Sequence, residues 1–109
     1  MAAKPPPSTI GQVKDVFTKL GEISDQVVFG DVWERKELSK RDRSLITVAA
    51  LTALHRPDQL YGHLYRALDN GVTREEIIEL ITHLAFYAGW PNAGTAALTA
   101  KQVFKERNV

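Results

Sequence analysis

The fold is decided by the stretch Ser39-Lys-Arg-Asp-Arg-Ser-Leu-Ile-Thr-Val-Ala-Ala-Leu-Thr-Ala-Leu54. Ser39 followed by Asp42 resembles a helix-capping box, although aspartate is a weaker choice than glutamate at the second position. The helix that follows is apolar nearly all round. In a water-soluble protein such a helix is usually surrounded by other helices or by another subunit. The stretch therefore predicts a central helix.

Downstream of this stretch the sequence predicts three more helices. Pro57 suits a first helical turn, and Asn70-Gly71 ends that segment. Thr73-Arg-Glu-Glu76 is a capping box, and Gly89-Trp90-Pro91 interrupts the pattern before a last helix over residues 92–106. The positions expected to be buried are Leu60, Leu64, Ala67 and Leu68 in the first of these helices, and Ile77, Ile78, Leu80, Ile81, Leu84, Ala85 and Ala88 in the second.

Upstream, Ser8 or Thr9 can cap a helix that Gly21 would end, with apolar positions Ile10, Val13, Val16, Phe17 and Leu20. Residues 22–38 are less regular and predict a short helix and a connecting loop. Residues 1–8 hold three of the five prolines and predict an extended or disordered leader. Because no segment alternates with a period of two, the sequence predicts an all-α domain of about six helices over residues 9–109.

The overall composition excludes several classes of function. The chain has 109 residues, with 14 Lys and Arg against 13 Asp and Glu, so its formal net charge of +1 gives no strong field for DNA or RNA. The longest apolar run, residues 45–54, has about half the length that crosses a bilayer, and the amino terminus has no signal-peptide core. We therefore expect a cytoplasmic protein with no membrane or nucleic-acid partner. The chain has no cysteine, which leaves histidine as the best group for moving protons near neutral pH.

Two of the three histidines lie in strongly helical, largely apolar segments. His63 borders the buried face of its helix. Glu79, His83 and Tyr87 recur at four-residue intervals, which stacks them along one helix face. A carboxylate keeps a neighbouring imidazole protonated and a phenol adds a donor, so this trio could bind an anionic ligand. A hydrogen-bonded structural role is the alternative for both histidines, and spacing alone leaves the two interpretations open.

Four other residues are functional candidates of a weaker kind. His55, at a helix end, suits a polar carboxy-terminal cap. Trp33 and Trp90 suit the core or a subunit contact, with pocket walls as the alternative. Arg43 opens the central helix, where positive charge opposes the helix dipole, so we expect it to have an acidic partner or an anionic ligand. The metal-binding spacings His-x3-His and His-Glu-x2-His are absent, and no metal site is expected.

Three runs, in order along the chain, carry a family resemblance. They are Leu38-Ser-Lys-Arg-Asp-Arg-Ser-Leu-Ile-Thr-Val-Ala-Ala-Leu51, Gly62-His-Leu-Tyr-Arg-Ala-Leu-Asp-Asn-Gly-Val-Thr-Arg-Glu-Glu-Ile77 and His83-Leu-Ala-Phe-Tyr-Ala-Gly-Trp-Pro-Asn-Ala93. Together they resemble the carboxymuconolactone decarboxylase family, which includes the alkylhydroperoxidase D-like proteins. The resemblance implies an all-helical, alkylhydroperoxidase D-like fold and a homo-oligomer, a trimer or a hexamer, which suits small subunits that bury a shared core.

The family has two chemical branches. The peroxidase-like branch carries Cys-x2-Cys-x3-His and an upstream glutamate. Here the histidine matches His63, but Arg56 and Gln59 stand at the cysteine positions and Ser44 at the glutamate position, which excludes a thiol peroxidase of that mechanism. The decarboxylase branch carries Arg-Ser-Leu at the start of the central helix and His-x3-Tyr-Ala-Gly-x-Pro, and residues 43–45 and 83–91 match these patterns.

The resemblance implies a carboxy-lyase that converts 4-carboxymuconolactone to 3-oxoadipate enol-lactone, a step in protocatechuate breakdown, without metal or organic cofactor. The roles it implies are His63 or His83 as proton donor, Tyr87 as oxyanion donor, Arg43 as anchor of a substrate carboxylate, and Trp33 and Trp90 as substrate-binding walls. Two alternatives remain open. One is another cofactor-free decarboxylation or proton transfer on a related acid, and the other is a non-catalytic oligomeric binding protein.

Overall fold

The computed structural model describes residues 7–109, and this part of the chain is helical with no strand. Residues 1–6 of the predicted leader lie outside the described part. The α-helices are α1 (Thr9–Val13), α2 (Thr18–Ile23), α3 (Lys40–Ala53), α4 (Pro57–Asp69), α5 (Arg74–Ala88) and α6 (Trp90–Arg107), with a π-helical turn (Ser24–Phe29) and a 3-10 turn (Val32–Glu34) between α2 and α3. The predicted all-α class and the number of helices are confirmed.

Helix α3 begins where the capping signal predicts. Ser39 Oγ accepts a hydrogen bond from the Asp42 backbone N–H at 3.0 Å. Its buried residues, Ser44, Val48 and Thr52, recur every fourth position, and the helix packs against α4, α5 and α6. The prediction that α3 is surrounded by other helices is confirmed for the face that carries these three residues. The opposite side of α3 leaves apolar side chains exposed, so the helix is not enclosed all round within one chain.

Helices α4 and α5 supply most of the core. Pro57 is the first residue of α4, and Leu60, Leu64 and Ala67 are buried as predicted. In α5 the buried residues are Ile77, Ile81 and Ala85, again at four-residue steps. The prediction that Ile78 is buried is wrong: its side chain is 41% exposed because it lies one residue, or about 100°, off this stripe.

Helix α6 begins at Trp90, two residues before the predicted start. Gly89 separates it from α5 and has a φ of +100°, a conformation that side-chain-bearing residues rarely adopt. Small side chains on the buried face of α6 let it lie close to α5. The buried residues are Ala93, Ala96, Ala100, Val103 and Phe104. No helix within residues 7–109 is both long enough and apolar enough to span a membrane.

The predicted single helix from Thr9 to Leu20 is wrong. The chain forms α1 and α2 with a turn at residues 14–17, and Gly21 lies inside α2 instead of ending the helix. A Cβ on Gly21 would come within 2.6 Å of the Lys14 Cβ, so glycine here permits a close approach of two chain segments. The side chain of Phe17 is 56% exposed. The helical spacing of apolar residues before Gly21 therefore does not correspond to a face that is buried within the chain.

The capping box at the start of α5 makes a testable contribution to stability. Thr73 Oγ1 accepts from the Glu76 backbone N–H at 3.1 Å, and the Glu76 carboxylate accepts from the Thr73 backbone N–H at 2.9 Å. Thr73→Ala is expected to lower the free energy of unfolding by about 1 kcal/mol, measured by urea denaturation. Thr82→Ala, at an exposed position inside the same helix, is the control and is expected to cause no loss because alanine favours helix. Equal losses in both variants would contradict a capping role.

Candidate functional site

The polar face of α4 lines an open groove. Leu60, Leu64 and Ala67 point into the core, and a second set of side chains spaced four, three and four residues apart faces the groove. This spacing places the set on one side of the helix. Its members are Gln59, His63, Arg66 and Asn70.

The other walls of the groove come from both ends of the chain. Pro7 and residues 8–10 form one wall, where Thr9 Oγ1 accepts a hydrogen bond from Gln59 Nε2 at 3.2 Å. Leu98 and Gln102 of α6 lie on another side. The groove holds about 1180 Å³, above the range of about 300–1,000 Å³ that is typical of small-molecule sites. The groove of one chain therefore has more open space than a small organic acid would fill.

His63 stacks on an aromatic cluster formed with the irregular segment before α3. The His63 ring centroid lies 6.0 Å from that of Trp33 and 6.4 Å from that of Phe29, with interplanar angles of 28° and 26°. Trp33, in the 3-10 turn, is only 9% exposed. The structure thus brings together two predicted site residues, His63 and Trp33, and adds Phe29, which the sequence analysis did not select.

The surroundings of His63 favour its neutral form. Its side chain is half-buried, and Nδ1 is buried with no hydrogen-bond partner within residues 7–109. Burial lowers the pKa of His63 below its ordinary value of 6.5, and the positive charge of Arg66 lowers it further. His63 is therefore a neutral imidazole near pH 7, with one ring nitrogen unpaired by the described protein atoms.

Arg66 completes the cluster and was also missed by the sequence analysis. Its Cζ lies 4.2 Å from the ring centroid of Phe29 and 5.4 Å from that of Trp33, which is cation-π geometry. Burial lowers the pKa of Arg66, and nearby Asp69 partly offsets this change. The three-residue spacing from His63 to Arg66 is a signal that could have placed both on one face.

A second polar cluster holds α4 to the end of α6. The phenols of Tyr61 and Tyr65 both donate to Glu106 Oε1, and Gln102 Nε2 donates to Glu106 Oε2 at 2.7 Å. These hydrogen bonds lower the pKa of the Glu106 carboxyl and contribute to raising the pKa of both tyrosines. Because Tyr61 and Gln102 also line the groove, the cluster fixes one of its walls.

Arg43 does not line this groove. Its Nη2 donates to the Arg35 backbone carbonyl at 3.2 Å, which places it beside the turn that carries Trp33, and its Nε is buried without a partner in the described part of the chain. No carboxylate within residues 7–109 makes an ion pair with Arg43. The expected acidic partner is therefore not found among these residues, and an anionic ligand at Arg43 stays a prediction.

His83, Tyr87 and Trp90 lie on exposed surface outside this groove. The ring centroids of His83 and Tyr87 are 4.8 Å apart, while Trp90 packs edge-on against Phe86 with centroids 5.8 Å apart. All are exposed, Tyr87 at 78% and Trp90 at 68%. None of them lines the groove that contains His63. The predicted stacking of His83 on Tyr87 is present, but one chain does not place the two histidines in one cavity.

His55 follows α3 with a φ of +56°, and the side chain that donates to the carbonyls at this helix end is that of Arg56, with 2.8 Å from Nη1 to the Leu54 oxygen. His55 is thus the left-handed residue of the helix end, and the capping donor is its neighbour. In the described residues no three His, Asp or Glu side chains cluster as a metal site would require.

The six α-helices and the groove that contains His63 define a small all-α protein, and comparison with known proteins makes this class specific. The family model described as carboxymuconolactone decarboxylase family matches residues 19–102, so the chain belongs to that family.

Two curated relatives bear names of enzymes. The chain is 44% identical over 81 residues to 4-carboxymuconolactone decarboxylase of Acinetobacter baylyi, covering 74% of this chain and 60% of that protein. It is 32% identical over 91 residues to nitrosuccinic acid decarboxylase of Metarhizium robertsii, covering 83% of this chain and 64% of that protein. The chain thus spans less than two thirds of the length of these relatives.

Proposed function

We propose that this protein is a carboxy-lyase that decarboxylates 4-carboxymuconolactone to 3-oxoadipate enol-lactone without a cofactor, acting in protocatechuate breakdown in the cytoplasm. The observation that carries the proposal is His63: a half-buried, neutral imidazole with an unpaired nitrogen, beside a cation and in an open groove. The 44% identity to a protein named for this reaction supports the choice of substrate.

The substrate supplies its own electron sink. The carboxylate that leaves is attached to a ring carbon conjugated through the alkene to the lactone carbonyl. When the bond to carbon dioxide breaks, its electron pair moves through the alkene onto the carbonyl oxygen, and a proton then adds to the ring carbon beside that carbonyl. The enzyme needs only donors for the oxyanion, a cation for the retained carboxylate, a proton donor and exclusion of water.

The predicted residues can be assigned to these needs. We assign the proton transfer to His63 or His83 and the oxyanion donor to Tyr87. Arg43 is a candidate for a carboxylate contact, and Trp33 and Trp90 are assigned as apolar walls. In the free enzyme His63 is neutral, and an anionic substrate beside it favours uptake of the proton that it would deliver.

Decarboxylation of another acid is the second candidate, because the Metarhizium robertsii relative is named for nitrosuccinic acid. In that acid the nitro group can accept the electron pair, as the conjugated lactone carbonyl does in the first substrate. Both molecules also retain a second carboxylate. The same groove chemistry could therefore serve either acid.

A direct assay tests the proposed function. Purified protein without metal or thiol is incubated with 4-carboxymuconolactone, and in parallel with nitrosuccinic acid, while substrate loss and carbon dioxide release are followed. Conversion of the lactone to enol-lactone is expected. Turnover of nitrosuccinic acid alone would select the second candidate, and turnover of neither would favour a non-catalytic binding protein.

We also propose that the protein is a homo-oligomer, a trimer or a hexamer, in which apolar surface left exposed by one chain is buried by other copies. The exposed large apolar side chains include Val16, Phe17, Leu20, Ile46, Leu54, Ile78, Phe86 and Trp90. Monomeric proteins rarely expose contiguous apolar patches of large size. The excess space of the groove would also be narrowed by a neighbouring subunit.

Phe86→Asp is expected to weaken this assembly, because a carboxylate would replace a ring that is 73% exposed and contacts Trp90. Light scattering after size exclusion should give a multiple of the subunit mass of 12.2 kDa for the unmodified protein and a lower mass for the variant. Lys105→Asp, at an exposed position near the end of α6, is the control and should leave the mass unchanged. A single-subunit mass for the unmodified protein would exclude the oligomer.

A further inference from the structure

Arg66 is a cation whose hydrogen-bonding edge has no partner in the described residues. Its guanidinium makes neither a hydrogen bond nor an ion pair with any side chain of residues 7–109. Asp69, the carboxylate whose charge raises the pKa of Arg66, is already paired, because Arg107 Nη2 lies 2.8 Å from Asp69 Oδ1. The five N–H donors of Arg66 are therefore not taken up by any side chain of residues 7–109.

Arg66 is also held in place by its contacts with aromatic rings. Its guanidinium lies near the faces of Phe29 and Trp33. The centroids of these two rings are 5.7 Å apart at an interplanar angle of 31°, and both rings stack on His63. A planar guanidinium held against aromatic rings loses little further freedom when it binds a carboxylate through two parallel hydrogen bonds. The cluster thus presents a preorganised carboxylate receptor next to the imidazole.

We infer that Arg66 binds the carboxylate that the substrate retains, and that the groove consequently selects acids with two carboxylates over acids with one. The inference rests on the proposed function for the identity of the substrate. It also gives the irregular segment before α3 a role, since Phe29 and Trp33 position the guanidinium. Arg66 would act in binding, while the bond to carbon dioxide breaks at the other carboxylate.

Substrate and enzyme can be changed in parallel to test this contact. Arg66→Gln is expected to raise KM for 4-carboxymuconolactone by about 10- to 100-fold, because a charge-assisted bidentate contact with the carboxylate is lost. The change in kcat should be smaller. A second substrate carries a methyl ester in place of the retained carboxylate and so lacks the charge that Arg66 would bind. For this ester the unmodified enzyme and the Arg66→Gln variant should have the same KM. Arg66→Lys keeps the charge without the planar fork and should restore part of the affinity for the diacid.

Arg74→Gln is the matched control, because Arg74 lies over the ring of Phe104 at 5.4 Å but outside the groove. The Arg74→Gln variant should discriminate between the diacid substrate and its methyl ester as strongly as the unmodified enzyme does. If Arg66→Gln keeps that discrimination too, the inference is overturned while the proposed function stands.

A binding experiment separates the inference from the reaction itself. Succinate, a diacid that the enzyme cannot decarboxylate by this route, is titrated into each protein, and its dissociation constant is measured calorimetrically. A value raised about 10- to 100-fold in Arg66→Gln but not in Arg74→Gln would support the inference even if the lactone were not turned over. Equal binding by both variants, or no binding by the unmodified protein, would overturn it.

Discussion

His63→Gln is expected to lower kcat for the lactone by about 10²- to 10⁴-fold, the usual contribution of a positioned acid or base. Glutamine keeps a polar side chain of similar reach but cannot gain and lose a proton near neutral pH. Because proton transfer is lost while the groove and its cation remain, KM should change much less than kcat. Steady-state kinetics of the purified variant measure both quantities.

The pH dependence identifies the protonation state that His63 uses. Its pKa in the free enzyme lies below 6.5, and kcat/KM reports the free enzyme. If imidazolium is the proton donor, kcat/KM should fall as the pH rises through this lowered pKa. In the complex the anionic substrate opposes the effect of burial and of Arg66, so the corresponding fall in kcat should lie at higher pH. His63→Gln should abolish both the fall in kcat/KM and the fall in kcat with rising pH.

His55→Asn is the control for the loss of a histidine. His55 is exposed and has a φ of +56°, a conformation that asparagine tolerates well. This variant should retain the activity and pH profile of the unmodified protein. Full turnover by His63→Gln would remove His63 from the proton transfer and leave His83 as the remaining assignment.

The long helices could be predicted because their signals are local. Ser39 and Thr73 mark helix starts with their own side chains, and the core positions of α4 follow from the helical period. The region before α3 could not be predicted in the same way. At its break, over residues 14–17, Lys14 and Gly21 approach each other closely, and a helical period does not predict such an approach.

The candidate site was predictable only in part, for a related reason. His63 and Trp33 could be selected from residue type and family pattern. The spacing from His63 could have placed Arg66 on the same face of α4, but its contact with Phe29 could not be predicted, because Phe29 lies in a π-helical turn without a regular period. His83 and Tyr87 were correctly expected to contact each other, but spacing along one helix does not say whether they reach the groove that contains His63.

Mixed oligomers should recover activity that neither single-histidine variant has. In one chain His63 lines the groove while His83 lies on exposed surface against Tyr87, so a site that uses both histidines must form between two copies. Co-expressed His63→Gln and His83→Gln subunits would then form some sites with both histidines intact, one from each variant. With random mixing in a closed ring this fraction is about one quarter of all sites.

The recovered activity must come from sites that combine His63 of one subunit with His83 of another. Differently tagged subunits allow mixed oligomers to be purified away from those made of one variant only. The turnover of the purified mixed oligomers should reach about one third of that of the unmodified protein for a trimeric ring, and about one quarter for a six-membered ring. Mixing His63→Gln with a double His63→Gln, His83→Gln variant is the control and cannot regenerate a site. If the two single variants give only the sum of their separate activities, the histidines do not share an intersubunit site. Because the structure separates them within a chain, the proton transfer would then belong to only one of them.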